Sequence, residues 1–194
     1  MSGSITSIRP LCTVSKSLLY RLFLIAGLLV GLSGGSKAVA QKISSHYLSK
    51  MQEDGTIYHA LPVELFKSSE HGELRYDVTY KERRDGLVTL NFTYEMAEAT
   101  PIDSITLQSG RVVMGGKPSK LYIELTKGGW KHRYSVRLPF QQMALFYDGQ
   151  ATPVVTLHAQ QRHFSYAVKR SAWREYAPIG YKIFEMIRIN EAAQ

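Results

Sequence analysis

ELRYDVTYKE, residues Glu73–Glu82, and LVTLNFTYEM, residues Leu87–Met96, flank Arg83-Arg84-Asp85-Gly86, and these two runs decide the fold. Leu74, Tyr76, Val78 and Tyr80 alternate with polar residues in the first; Val88, Leu90, Phe92, Tyr94 and Met96 do so in the second. Successive side chains of a strand point to opposite faces, so each run is expected to be a strand with one buried face. A two-residue turn at Asp85-Gly86 sets Tyr80 opposite Asn91 and Val78 opposite Thr93, which mixes the faces. A three-residue loop, Arg84-Asp85-Gly86, pairs Val78 with Phe92 and Tyr80 with Leu90 and gives Gly86 the left-handed conformation that such a loop needs. It also sets Arg75 opposite Glu95 on the outer face.

The same pattern continues on either side. A turn at Gly128-Gly129 is expected to align Leu121 with Val136, Ile123 with Tyr134 and Leu125 with His132, with Glu124 facing Arg133 outside. A third hairpin at Gln160-Gln161 matches Leu157 with Phe164 and Val155 with Tyr166. Shorter strands are expected at 57–66, 104–108, 111–114 and 143–147, for eight or nine in all. After Val168 the period lengthens: Ile179, Ile183, Phe184, Met186 and Ile187 share a face opposite Lys182, Glu185 and Arg188, and Pro178 suits the first turn of a helix over about 178–190. Residues 41–55 are polar, with Ile43, Tyr47 and Met51 at helical spacing, and read as an arm or short helix. The expected fold is an antiparallel β-sandwich with a C-terminal amphipathic helix, and the second choice is an up-and-down, calycin-like barrel with the same helix.

Residues 1–40 read differently. A basic stretch through Arg21, an apolar stretch from Leu22 to Leu32 and the small-residue end Ala38-Val39-Ala40 form the three parts of a cleavable secretory signal, with cleavage before Gln41. The eleven apolar residues of the middle part are well short of the roughly 20 needed to span a bilayer. The leader holds four of the basic residues, none of the acidic ones and the only cysteine, Cys12. Its removal lowers the formal net charge from +8 to +4, because 20 basic residues then face 16 acidic ones. A charge of that size gives little support for nucleic-acid binding. The remaining chain, 41–194, is one cysteine-free domain expected in the periplasm, outside the cell or on its surface, with no membrane span after cleavage.

Several residues are candidates for chemistry. Lys131, Arg133 and Arg137, with Lys120 across the strand, form a basic stripe suited to a phosphate or an acidic glycan, although Glu124 lies where it can neutralise Arg133. His158 and His163 become cross-strand neighbours in the third hairpin, within reach of one metal ion; zinc asks for three or four ligands, and the flanking Thr156 and Ser165 are not usual ones. His132 falls on the apolar face. No Gly-x-Ser-x-Gly elbow or phosphate-cradling Gly-rich loop occurs in the mature chain, so neither a catalytic residue nor a cofactor is assigned. The expected function is a non-catalytic binding or structural module of the bacterial envelope with a protein or glycan partner. The other readings are an apolar-ligand carrier, which requires a cavity of several hundred Å3, and a hydrolase using the histidine pair.

Overall fold

The structure, a computed structural model, describes residues 43–82, 85–148 and 151–193. The leader and Arg83-Arg84 lie outside these residues. Ten strands form one antiparallel sheet: β1 Tyr47–Gln52, β2 Gly55–Ser68, β3 Gly72–Lys81, β4 Leu87–Met96, β5 Ser104–Ser109, β6 Val112–Gly116, β7 Ser119–Thr126, β8 Gly129–Pro139, β9 Val154–Ala159 and β10 Arg162–Val168. Helix α1 spans Phe140–Phe146 and α2 spans Arg170–Ala192. The strand order is β6-β5-β9-β10-β2-β3-β4-β8-β7, with β1 beside β2.

The class is the expected one, mainly antiparallel β with a C-terminal helix, and the strands belong to a single sheet curled into a half-barrel. Strand β2 makes the bend. Its first half pairs with β1 and its last residues with β10, and its register against β3 shifts between Ala60 and Val63 and again between Val63 and Phe66. Such bulges increase local twist and turn a strand from one neighbour to the next. Residues Tyr47–Gln52, expected as an arm or short helix, are strand β1, because the chain turns back after Gln52 and Tyr47 pairs with Ala60.

Hairpin registers divide into one that matches and two that slide by two residues. Leu157 pairs with Phe164 and Val155 with Tyr166, as expected. In the first hairpin Tyr76 faces Phe92, Val78 faces Leu90 and Tyr80 faces Val88, and Arg75 lies opposite Thr93 instead of Glu95. A shift of two keeps every side chain on its face, and Gly86 does hold a positive φ of 64°. The cause is Glu82. It leaves the β3–β4 ladder and its carboxylate, in a residue only 1% exposed, accepts the Thr56 amide (2.9 Å) and the Tyr58 hydroxyl (2.9 Å), so the loop is longer than three residues. In the second hairpin the turn is Lys127-Gly128, Thr126 pairs with Gly129, and Glu124 faces Lys131. Gly129 carries a φ of 131°, and a Cβ there would lie 2.6 Å from the Met96 carbonyl oxygen, so the strand begins at this glycine. Leu121, in the bulge between Lys120 and Tyr122, and Leu125, opposite Trp130, lie on the edge strand β7 and are exposed.

Both helices depart from the sequence reading. Met143–Tyr147, expected as a strand, lies in and just after α1; Phe140, Met143 and Phe146 are buried three residues apart, and the Gln141-Gln142-Met143-Ala144-Leu145 run favours helix. Helix α2 starts eight residues before Pro178. Proline removes the amide that would bond the carbonyl of Arg174. Arg174 and Pro178 are both exposed, so water can take that carbonyl, while Trp173, Tyr176 and Ala177 are buried on the other side.

The helices sit on the apolar face of the sheet. Tyr147, just after α1, stacks on Trp173 (5.7 Å between ring centroids) and contacts Phe184 (5.6 Å) and Tyr176 (6.2 Å). Its hydroxyl bonds that of Tyr76 on β3 at 2.9 Å. At the other end of α2, Tyr80 donates to the Glu191 carboxylate (2.8 Å) and Asn190 donates to the Tyr58 hydroxyl (3.1 Å). The void lined by Phe66, Tyr76, Phe92, Met143 and Phe146 is about 10 Å3. Gly180 is a tight point of the helix packing, since a Cβ there would fall 2.5 Å from the Tyr147 ring. Replacing a mid-helix glycine by alanine ordinarily stabilises by about 1 kcal/mol, whereas overpacking a core costs about 1–3 kcal/mol. Tyr147 is buried and held by three rings, so the clash wins: Gly180→Ala lowers stability to urea, and an increase would contradict this seating of the helix.

Candidate functional site

A groove of about 870 Å3 lies at one end of the sheet. The β2–β3 turn contributes Glu70 and His71, β3 contributes Glu73 and Arg75, and the end of β4 with the chain after it contributes Thr93 to Glu98. Tyr122 of β7, Lys131 and Arg133 of β8, and Arg162 and Phe164 of β10 complete it. These parts meet because β2 carries the sheet from β3 across to β10. His71 lies edge-on to Phe164 with centroids 4.8 Å apart, and the Arg162 guanidinium stands 5.5 Å from the same ring.

Every basic lining side chain of arginine or lysine type has a carboxylate. Arg133 donates to Asp77 (2.8 Å) and to Thr93 (2.8 Å), and Asn91 donates to the other oxygen of Asp77 (2.8 Å). Arg162 pairs with Glu98 at 2.8 Å and reaches Thr100 at 3.0 Å. The Arg162 hydrogen bond and charge hold the Glu98 carboxyl below the usual carboxylate range. Lys131 lies 3.7 Å from Glu124 and 6.0 Å from the centre of the Tyr122 ring; Arg75 pairs with Glu64. Glu95 is exposed in the groove and has no ionic partner among the described residues.

Of the four residues of the expected basic stripe, only Lys131 and Arg133 lie in this groove. Arg137 pairs with Asp85 and lines a separate depression with Thr79, Lys81 and Thr89. Lys120 is exposed, and the shifted register together with the irregularity between Lys120 and Tyr122 sets it opposite Tyr134 instead of Arg137. The same shift gives Glu124 to Lys131 and leaves Arg133 to Asp77. His71, Glu95, Glu98, Tyr122, Arg162 and Phe164 were not singled out by sequence. Glu98 and Arg162 are 64 residues apart, and only the strand order, which no local pattern encodes, brings them together.

The histidine pair is where the third hairpin was expected to put it. His158 and His163 face each other across β9 and β10, Nδ1 to Nδ1 at 2.9 Å, and His158 Nε2 lies 3.0 Å from Thr106 Oγ1. Neither histidine lines the groove. Among the described residues no three His, Cys, Asp or Glu side chains converge on a metal-sized site. No helix among them is long and apolar enough to cross a membrane.

His132 is buried beside near-parallel aromatic rings, stacked on Tyr94 at 4.8 Å and next to Tyr134 at 6.4 Å. Its Nε2–H donates to the Glu98 carbonyl at 3.1 Å, and its Nδ1 has no partner. A second proton would therefore put an unmatched charge in the core. Burial pushes the His132 pKa down, partly opposed by the Glu98 carbonyl. This bond, with the Ile102 amide donating to the Tyr134 hydroxyl (3.3 Å), ties the chain after β4 across the end of the sheet.

Compared with protein-family models, with curated proteins and with solved structures, the chain gives no significant match. Function therefore has to be argued from the groove and the surface chemistry.

The unfolded chain takes up a proton on histidine near pH 6.5, and the folded protein resists it at His132. Its contribution to stability is full above that pH and is lost as pH falls toward the depressed folded value. Urea midpoints at pH 7 and pH 5 should therefore separate more in the natural protein than in His132→Phe, which keeps the stacked plane. An equal separation in the two would show that His132 is not the group responsible.

Proposed function

We propose that the protein is exported and serves as a non-catalytic envelope module that binds a polar polymer of low net charge, a glycan, in the groove between the β2–β3 turn and β8. The observation that carries this reading is the charge matching. Arg75, Lys131, Arg133 and Arg162 are each committed to a carboxylate, so the groove offers hydrogen-bonding groups and the rings of Tyr122, Phe164 and His71 with no surplus of positive charge. Hydroxyl-rich ligands suit such a surface, since paired ions still accept and donate at their edges and ring faces take the apolar side of a sugar. A phosphate or an acidic glycan is disfavoured, because it would have to displace Glu98, Glu64 or Asp77 and would meet Glu95 unpaired.

The carrier reading draws less support. It needs an enclosed space of several hundred Å3, and the interior void between sheet and helices is about 10 Å3, room for one water at most. A hydrolase built on His158 and His163 also draws less, because their hydrogen bonds go to each other and to Thr106 and they stand apart from the groove.

The protein recovered from the cell envelope or medium is expected to begin at Gln41. Titrated with neutral and acidic soluble envelope glycans, it should show NMR shifts centred on Tyr122, Glu95 and Phe164. Tyr122→Ala should weaken the neutral ligand at least tenfold without changing the melting temperature. An uncleaved cytoplasmic chain contradicts export. Preference for the acidic glycan, or shifts confined to another face, contradicts the groove.

A further inference from the structure

The histidine pair lies apart from the groove and has a geometry of its own. His158 and His163 are directly opposed residues of adjacent strands, so their Cα positions are held by the sheet and not by a loop. Thr106 of β5, the neighbour of β9 on the other side, holds the far nitrogen of His158. A hydrogen-bonded partner on the second ring nitrogen fixes orientation, as it does for metal-bound imidazoles. In either tautomer of His158, a single proton lies between the two Nδ1 atoms. His163 is exposed, and the next cross-strand pair is Thr156 and Ser165, so small hydroxyl side chains leave the approach open.

The number of protein ligands bears on which metal fits, and the N···N spacing is short enough for both rings to share one ion. Two nitrogens each about 2.0 Å from one ion stand about 2.8 Å apart at a right angle and about 3.3 Å apart at the tetrahedral angle. The observed 2.9 Å is the length of the hydrogen bond that the two rings share, and it already lies close to the first of these values. Adjacent corners of a square-planar or tetragonal set are the arrangement of copper(II) and nickel(II), whereas zinc prefers the tetrahedron and more protein ligands.

We propose that His158 and His163 bind one copper(II) or nickel(II) ion through their Nδ1 atoms, at adjacent corners of a tetragonal set that water completes. The ion takes the place of the shared proton, which moves to Nε2 of the ring that carried it, so that both histidines bind as neutral imidazoles protonated at Nε2. No further carboxylate or histidine joins them among the described residues, so the remaining corners stay exchangeable. This site is independent of the groove and of what the groove binds.

The test uses the protein prepared without a histidine tag and titrated with copper(II), nickel(II) and zinc(II). One copper or nickel ion per chain is expected, nickel binding more tightly than zinc, with two equatorial imidazole nitrogens in the copper resonance spectrum. His158→Ala and His163→Ala should each weaken binding at least tenfold with an unchanged melting temperature, while His59→Ala, whose ring bonds Thr79 on β3, should leave it unaltered. Absence of stoichiometric binding, zinc binding above nickel, or uptake that survives His163→Ala would overturn the site.

Discussion

The seat of Tyr147 against helix α2 holds the protein together. Its ring lies among Trp173, Tyr176 and Phe184, its hydroxyl reaches Tyr76 on the sheet, and Gly180 is the residue whose missing side chain makes the approach possible. A curled sheet with one apolar face cannot stand alone in water; its buried face must be covered. Here the cover is two helices whose aromatic residues fill the curl. Burial raises the Tyr76 and Tyr147 hydroxyls well above their ordinary pKa, so both stay neutral and their mutual hydrogen bond holds over the whole working pH range. The C-terminal end of α2 is then fixed separately, by Tyr80 to Glu191 and by Asn190 to Tyr58.

A filled interior moves the search for function to the outer surface. There the sheet presents ion pairs instead of an unbalanced patch: Lys131 pairs with Glu124 on the adjacent β7, Arg133 reaches across β4 to Asp77 on β3, and Arg137 pairs with Asp85 before β4. Exposed pairs of this kind contribute little to stability, about 0–1 kcal/mol each. Under the proposed function their consequence is selectivity, since a groove of matched charges would discriminate against polyanions. The histidine pair is a second, smaller arrangement on another part of the same sheet, ordered by the same cross-strand logic.

Much of this could be read from residue order. Alternation in 73–82 and 87–96 assigns the strands and their buried faces, Gly86 is recognisable as a left-handed residue, and the pairing of His158 with His163 follows from the Leu157–Phe164 register. What was not legible has physical causes. Glu82 looks like one more outer charge of a strand, and only its burial against Thr56 and Tyr58 shows why the hairpin slides by two. Pro178 signals a helix start by its own conformational preference, yet Trp173 and Tyr176 gain enough by burial to carry the helix past it. Met143–Tyr147 is too short for its period to decide between helix and strand. The groove depends on strand order: β10 reaches β2 only through the bend in that strand, and nothing near Arg162 in sequence points to Glu98.

The central claim is that α2 is part of the core and not a lid over a ligand space. Native-state hydrogen exchange tests it most directly, by comparing amides of α2 from Trp173 to Ile187 with those of β3 and β4. If the helix is integral, both sets exchange only through global unfolding and report the same free energy. Exchange of the α2 amides at a much lower free energy than the strands, with β3 and β4 still protected, would show a detachable helix and contradict the account.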